Sequence, residues 1–371
     1  MELKKRLKQE AKFILHRFVL PLVYNRYRSN PTVKGRVVFA DSNTDTLPES
    51  MRLVYERLSE REDIDIKLCL CDLRKEGLRQ KLSFITGFMK EYARAEYVFI
   101  CNYFLPVTSC RKKKDTKVIQ LWHSCGLLKK FAYDTPDDIS PYYRGNVNRN
   151  ISMITVSSPA VKEVFESAYR LEGIHRKMVR AVGVSRTDVF FDKAYLERCR
   201  DRLFERYPQF QGKKIVLYAP TFRGTAAQAR LVGEEHIKAL QKKLGDDWAV
   251  IMKPHPHIKG AQSNCDIPTP ELFSAADVLI SDYSSLIFEY ALLRKPFVLF
   301  MPDYDEYVKS RGFYVDPADF PCEIIKDGEE LADSVLRAYG REAGEDYEQF
   351  LRYHMSACDG HATDRILRVV K

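Results

Sequence analysis

A histidine follows one of several short apolar segments of this sequence that are typical of buried strands. Residues 118–121 run directly into Trp122 and His123. Because imidazole has a pKa near neutrality, a histidine at the carboxyl edge of a sheet can take a proton from a hydroxyl group. A structural histidine held by hydrogen bonds is the alternative reading of this motif.

A turn rich in cationic groups follows a second apolar segment. Here Ala-Val-Ile-Met is followed by Lys253-Pro254-His255-Pro256-His257, in which two prolines fix the backbone. A lysine and two imidazoles held at one edge of a sheet suit a diphosphate leaving group. A metal site is less favoured, because the two histidines lack further ligands at metal-binding spacing.

A third stretch, residues 277–290, predicts a strand, a polar turn and a helix. The strand ends at Asp282, and Ser284 or Ser285 can cap the helix. Two hydroxyls, backbone N–H groups and a positive helix end then favour an anionic ligand such as a phosphate. Glu289 lies one turn further along the helix. An ordinary capped turn is the alternative.

Two more polar motifs follow predicted strands. Thr221 and Arg223, in Tyr-Ala-Pro-Thr-Phe-Arg-Gly, bring a hydroxyl and a guanidinium to the same edge. Asp303-Tyr304-Asp305 is similar to the metal-binding Asp-x-Asp pair of some sugar transferases. A solvated turn is the favoured reading of so acidic a loop, and no metal ligand is assigned.

The elements that position these residues alternate between strands and helices. Strands are predicted at residues 36–41, 64–71, 97–101, 117–121, 153–156, 178–182, 215–218, 248–252, 278–280 and 297–301. Helices are predicted at residues 48–60, 73–92 with a break near Gly87, 159–167, 234–244 and 346–370. Such alternation predicts parallel sheets covered on both faces, and therefore an α/β protein with two doubly wound, Rossmann-like domains facing a cleft.

Charge is concentrated at the N-terminus. The chain has 371 residues and a net charge of +9, and residues 1–36 contain ten Lys and Arg against two Glu, a balance of +8. A nearly neutral body argues against nucleic-acid binding.

No apolar run reaches the roughly 18 residues of a transmembrane helix. Nine scattered cysteines, with no export signal, fit a reducing cytosol.

The basic segment also predicts an amphipathic helix. Apolar residues fall at helical spacing, with lysines and arginines on other faces: Leu3, Leu7, Ala11, Ile14 and Phe18. Such a helix can lie on an anionic membrane surface. A helix packed on the first domain is the alternative. The predicted organisation is a membrane-association segment at 1–30, a first Rossmann-like domain at 31–190, a second at 191–345, and a C-terminal helix at 346–371 that packs back across the hinge.

Several motifs together resemble a known family. From about residue 116 onwards, the order and composition of these blocks resemble those of the CDP-glycerol glycerophosphotransferases, the primases and polymerases of bacterial teichoic acid synthesis: Trp122-His123, Tyr218-Ala219-Pro220-Thr221-Phe222-Arg223, Lys253-Pro254-His255-Pro256, Ser281-Asp282-Tyr283-Ser284-Ser285, Phe288-Glu289-Tyr290, Lys295-Pro296 and Asp359-Gly360-x-Ala362-Thr363-x-Arg365.

The resemblance implies a GT-B fold and peripheral association with the cytoplasmic face of the membrane. It implies transfer of glycerol phosphate or ribitol phosphate from a CDP-polyol to a hydroxyl of a lipid-linked teichoic acid precursor, with release of CMP. It makes residues 31–190 the acceptor domain and residues 191–345 the CDP-polyol donor domain. His123 would be the general base, and His255 would stabilise the pyrophosphate. Many members follow Trp-His with Gly-Thr-Pro-Leu-Lys, whereas Ser-Cys-Gly-Leu-Leu-Lys stands here. That departure leaves the acceptor and the polyol open.

The expected donor site contains Thr221, Arg223, Lys253, Ser284, Ser285 and Glu289, with Asp282 and His257 as secondary candidates. No cofactor is required beyond the CDP-polyol substrate, and a divalent metal is not indicated. The expected partners are the lipid-linked precursor and an anionic membrane, with no nucleic acid; a homo-oligomer is compatible with the sequence. Two other functions remain open: a GT-B glycosyltransferase using a nucleotide sugar, and a non-catalytic membrane adaptor.

Overall fold

The computed structural model describes residues 2–221, 223, 232–254 and 263–370. The chain forms two compact units. Unit 1 contains Met1–His123, Phe131–Asp188 and Ala357–Lys371, and unit 2 contains Ser124–Lys130 and Val189–Ser356. The predicted site residues His255 and His257 lie outside the described residues.

Each unit is built on a parallel sheet. The strands of unit 1 are β1 Arg36–Asp41, β2 Asp65–Leu70, β3 Tyr97–Ile100, β4 Lys117–Gln120, β5 Met153–Thr155 and β6 Val179–Arg180. Those of unit 2 are β7 Lys214–Tyr218, β8 Trp248–Met252, β9 Val278–Ser281, β10 Phe297–Phe300 and β11 Ile324–Ile325.

Strand order fixes where ligands can bind in such sheets. Unit 1 has the order β2-β1-β3-β4-β5-β6, and unit 2 has the order β11-β10-β9-β7-β8. The direction of winding therefore reverses between β1 and β3 in unit 1 and between β7 and β9 in unit 2. Doubly wound sheets form a crevice at the carboxyl ends of the strands at this switch point.

The helices are α1 Glu2–Ile14, α2 Leu20–Tyr27, α3 Glu49–Ser59, α4 Leu78–Tyr92, α5 Leu105–Ser109, α6 Pro159–Ala168, α7 Lys193–Arg206, α8 Glu234–Leu244, α9 Thr269–Leu272, α10 Leu286–Ala291, α11 Tyr304–Ser310, α12 Leu331–Tyr339, α13 Glu345–Met355 and α14 Ala362–Leu367. Their apolar faces cover the sheets, so central strands such as β3, β9 and β10 are buried throughout.

Two predicted helices differ from the structure. The predicted break near Gly87 is wrong, because α4 continues through this residue to Tyr92. Glycine costs a helix only about 1 kcal/mol relative to alanine, and burial of Phe88, Met89 and Tyr92 stabilises this turn. The predicted helix at 346–370 is two helices, α13 in unit 2 and α14 in unit 1, separated at Gly360, which has a φ of +86°.

The C-terminal motif of the family resemblance anchors α14 within unit 1. The side chain of Asp188 accepts hydrogen bonds from the backbone N–H groups of Ala362 and Thr363, at 3.0 and 2.7 Å. Arg365 donates to Asp359 and to the carbonyl of Val182. This motif therefore has a structural role, because it holds α14 in its place in unit 1.

The N-terminal segment is helical and packs on unit 1. Between α1 and α2, Leu15–Val19 form a π-helical turn just before Pro21, whose missing N–H disturbs regular α-helical bonding. Leu20 and Tyr24 are buried, and His16 Nε2 lies 3.0 Å from Thr108 Oγ1. Within the described residues, no helix is both long enough and apolar enough to cross a membrane.

Candidate functional site

The switch point of unit 2 brings together two predicted site residues from separate motifs. Thr221 follows β7 and Asp282 follows β9. The backbone N–H of Thr221 donates to Asp282 Oδ1 at 2.8 Å, and its hydroxyl lies 3.0 Å from both carboxylate oxygens. Because β7 and β9 are neighbours in the sheet, 61 residues of separation become direct contact.

Arg223 completes this cluster by binding two carboxylates. Its Nη1 donates to Asp282 Oδ2 at 2.8 Å. Its Nε and Nη2 donate to Asp303 Oδ2 and Oδ1, at 2.6 and 3.0 Å. Nη1 also donates to the Thr221 hydroxyl at 2.8 Å. All three guanidinium nitrogens are therefore engaged by protein oxygens.

The charges of the cluster decide what it can do. One guanidinium between the two aspartates leaves a formal charge of −1, so Arg223 supplies little net attraction for a diphosphate. Burial alone would raise the pKa of Asp303, but the hydrogen bonds and the charge of Arg223, together with a hydrogen bond from Tyr283, outweigh burial and hold that pKa below its usual value of 3.8. The guanidinium carbon also lies 4.6 Å from the ring centre of Tyr283.

The sequence favours a solvated turn for Asp303-Tyr304-Asp305, and this prediction is wrong for Asp303, although the side chain of Asp305 is exposed. Asp303 is bound in a bidentate pair and its side chain is only 15% exposed. Its hydroxyl neighbour is Tyr283, whose OH donates to Oδ1 at 3.2 Å. Among the described residues, no three His, Cys, Asp or Glu side chains are placed to hold a metal ion.

The remaining donor candidates lie at the same edge of unit 2. Ser284 is buried, and its hydroxyl accepts a hydrogen bond from the N–H of Leu286 at 3.3 Å. Ser285 directly precedes α10, and Glu289 is buried within that helix. Lys253 follows β8 and donates to the carbonyl of Cys265 at 2.9 Å. Burial lowers the pKa of Lys253 from 10.5.

His123 belongs to unit 1, where it follows β4. The side chain is exposed, and its ring centre lies 4.5 Å from that of Trp122. Its carbonyl oxygen accepts a hydrogen bond of 2.7 Å from Arg186. The imidazole is therefore presented at a strand end while its backbone is held, an arrangement suited to a general base.

Trp122 has a conformation that sequence reasoning missed. Its φ is +61°, in the left-handed region that costs a non-glycine residue about 1 kcal/mol or more. The buried ring packs edge-on or tilted against an aromatic set that holds this conformation: Tyr103, Phe131, Phe165 and Tyr169. Backbone strain that is offset by the packing around it is common at functional sites.

A family model described as CDP-glycerol:poly(glycerophosphate) glycerophosphotransferase matches residues 22–371. The chain belongs to this glycerophosphotransferase family. The family assignment made from the motifs is confirmed, and the match includes every strand end that bears a candidate residue.

Two teichoic acid enzymes are similar to most of this chain. A teichoic acid poly(ribitol-phosphate) polymerase of Bacillus spizizenii is 30% identical over 97% of this chain, which spans 60% of that protein. A teichoic acid ribitol-phosphate primase of the same organism is 31% identical over 91% of this chain and 90% of its own length. The chain thus spans less than two thirds of the polymerase and nearly all of the primase.

A solved structure supports the fold. The structure of the wall teichoic acid polymerase TagF matches with a TM-score of 0.72 at 24% identity, covering 98% of this chain and 97% of that chain. The expected class, an α/β protein of the GT-B type with two doubly wound units, is confirmed. The predicted cleft between the domains stays a prediction, as do the roles of the individual site residues. The expected reaction class, polyol phosphate transfer, is the one stated by the family description.

Proposed function

We propose that this chain transfers ribitol phosphate or glycerol phosphate from a CDP-polyol to a hydroxyl of a lipid-linked teichoic acid precursor, releasing CMP. The observation that carries the proposal is the match of one glycerophosphotransferase family model to residues 22–371. Ribitol is the favoured polyol, because four relatives that align over more than nine tenths of this chain all carry ribitol in their names.

The reaction is an in-line displacement at phosphorus. The acceptor hydroxyl oxygen bonds to the phosphorus that bears the polyol, and the bond from this phosphorus to the bridging diphosphate oxygen breaks. CMP leaves with that electron pair, and His123 takes the hydroxyl proton. Positioning and charge stabilisation are the main resources for such a transfer.

The donor diphosphate is assigned to unit 2. We place it with Ser284, Ser285 and Lys253, and with His255 from the neighbouring motif. Glu289 is the candidate for the ribose hydroxyls. Thr221, Asp282 and Arg223 shape the switch-point crevice instead of supplying the positive charge, because Arg223 is already paired with two carboxylates.

The test uses CDP-ribitol and CDP-glycerol with a short lipid-linked acceptor analogue. CMP release is followed by chromatography, and product mass shows which phosphodiester is added. His123→Ala should lower the turnover rate by about 100-fold or more, the usual contribution of a general base, while donor binding is retained. His175→Ala removes another exposed histidine of unit 1 and serves as the control.

The same experiment separates the other functions. A glycosyltransferase would add a sugar without a phosphodiester, and an adaptor would consume neither CDP-polyol. Near-normal CMP release by the His123→Ala variant would contradict the general-base assignment while leaving the proposed reaction intact.

We also propose that the N-terminal helices dock this unit on the anionic cytoplasmic face of the membrane. Four apolar side chains of α1, α2 and the turn between them are each more than half exposed, at intervals of seven, four and four residues: Leu7, Ile14, Phe18 and Leu22. The same segment buries Leu20 and Tyr24 in unit 1. One face of the segment can therefore pack on the protein while the four exposed apolar side chains remain available to contact the membrane.

The membrane proposal is tested without deleting the segment, whose buried residues contribute to unit 1. Replacing Leu7, Phe18 and Leu22 by Gln should reduce sedimentation with phosphatidylglycerol vesicles at least about tenfold, because burying each leucine or phenylalanine side chain is worth about 1.5–3 kcal/mol. Leu78→Gln, at an exposed leucine of α4, is the control. Equal sedimentation of the triple variant and the control would contradict membrane docking.

A further inference from the structure

The seven residues after His123 are built into unit 2. We call residues 124–130 the clasp. Its backbone pairs with a neighbouring loop of unit 2: the N–H of Tyr314 donates to the carbonyl of Leu128 at 2.8 Å, and the N–H of Lys130 donates to the carbonyl of Gly312 at 3.1 Å. The backbone that continues from His123 is therefore held by the unit that carries the donor candidates.

The clasp packs directly against α10, the helix that follows Ser284 and Ser285. Gly126 has a φ of +64°, and a Cβ atom there would lie 2.3 Å from Cγ of Phe288. Only a residue without a side chain allows this approach. The position of the clasp is therefore tied to that of the helix behind the proposed diphosphate site.

His354, on α13, provides a hydrogen bond to the clasp. Its Nδ1 accepts from the N–H of Leu127 at 3.2 Å, so the ring is neutral with Nδ1 unprotonated. The ring is 3% exposed and lies 4.8 Å from the ring centres of Phe288 and Phe350. Burial lowers the pKa of His354 to about 3, so the acceptor persists throughout the neutral pH range.

We propose that His354 is a positioning residue: its Nδ1 holds the clasp against α10 and thereby fixes the backbone that presents His123. Removal of the acceptor leaves the buried N–H of Leu127 unpaired, a loss typically large enough to shift a short segment. A displacement of about 1 Å at a reacting group can lower a rate by about 100-fold. The inference rests on the proposed function, because it takes His123 as the base.

The test compares three variants of α13. His354→Leu keeps apolar volume and removes the acceptor, whereas His354→Asn places an amide oxygen near the original Nδ1 position. Tyr347→Phe is the matched control, because it removes a different, partly buried hydrogen bond of the same helix, from Tyr347 OH to the carbonyl of Lys295 at 2.6 Å. For each variant, kcat and the KM for the CDP-polyol are measured per folded molecule, together with hydrogen exchange of the clasp amides.

His354→Leu should lower kcat by about 10- to 100-fold with an unchanged donor KM, as expected for a misplaced base. Its Leu127 amide should exchange faster. His354→Asn should recover most of kcat, and Tyr347→Phe should keep it. Equal kcat values for His354→Leu and Tyr347→Phe, or no recovery with Asn, would overturn the inference. If His354→Leu does not fold, the comparison of Asn with Tyr347→Phe decides, and a lower kcat in Asn overturns it. Absence of CMP release by the unaltered enzyme is a separate result that would overturn the proposed function.

Discussion

Replacing Asp303 by Asn tests whether the Arg223 cluster is a buried ion network. The substitution removes one carboxylate of a bidentate pair, at 2.6 and 3.0 Å, and replaces one of its acceptor oxygens by an amide donor. The side chains of Arg223 and Asp303 are 9% and 15% exposed. Removing one partner of a buried pair costs about 3–5 kcal/mol, and because Asp303 is partly exposed we expect a loss of about 3 kcal/mol.

The free energy of unfolding of unit 2 is measured by urea titration, in a Trp122→Phe background so that Trp248 alone reports by fluorescence. Asp305→Asn is the matched control. Asp305 pairs with Lys326 at 3.6 Å, and both side chains are more than half exposed. This control should change stability by less than about 1 kcal/mol, as is usual for surface pairs.

The loss should also depend on pH in a defined direction. The pKa of Asp303 in the folded protein lies below its usual value of 3.8, because Arg223 stabilises the carboxylate. Its contribution is therefore fully present above that usual value and is lost as the pH falls through the lower folded pKa. The difference between the unaltered protein and Asp303→Asn should be constant from pH 8 to about pH 5. A loss below about 1 kcal/mol at pH 7 would refute the buried network.

Two further predictions concern backbone packing and pH. Gly126→Ala should destabilise unit 2, because the added Cβ would overlap the Phe288 ring. Gly87→Ala should instead stabilise unit 1 by about 0.5–1 kcal/mol, because a Cβ at this position of α4 meets open space. Equal shifts of the thermal unfolding temperature in the two variants would contradict this contrast. Burial, together with the charge of Arg149, lowers the pKa of His16 below 6.5 in the folded protein. As the pH falls through 6.5, His16 is protonated more readily in the unfolded segment than in the packed one, so the packed segment loses stability. Hydrogen exchange of residues 2–27 should therefore be faster at pH 5.5 than at pH 7.5, beyond the intrinsic pH effect, and His16→Gln should remove the difference; equal protection in both proteins at both pH values would rule out this role.

Local patterns in the sequence predicted most of the fold. Strands such as β1, β7 and β8 and helices such as α8 match the expected segments closely. The reason is that the spacing of apolar residues that distinguishes a strand from a helix is visible within a few neighbouring residues. The break expected near Gly87 shows the limit of this reasoning, because burial of the following turn outweighs the weak helix propensity of one glycine.

The site was predicted in part. The motifs placed Thr221, Asp282 and Ser284 at strand ends, and the β7–β9 pairing does bring Thr221 and Asp282 into contact. Arg223 was expected to bind a diphosphate, yet in the structure it pairs with Asp303, 80 residues away. Its partner depends on which strands are neighbours, and local spacing does not report strand order.

The sequence by itself determined the family, the α/β class and the polar residues that follow the strands. Tertiary structure decided how those residues are used. In the folded protein the guanidinium of Arg223 lies between two carboxylates, and Trp122 has a left-handed backbone conformation among packed aromatic rings. The residues after His123 belong to unit 2. The physical reason is that side-chain types and periodicity are local properties, whereas hydrogen-bond partners and burial arise only when distant segments pack together.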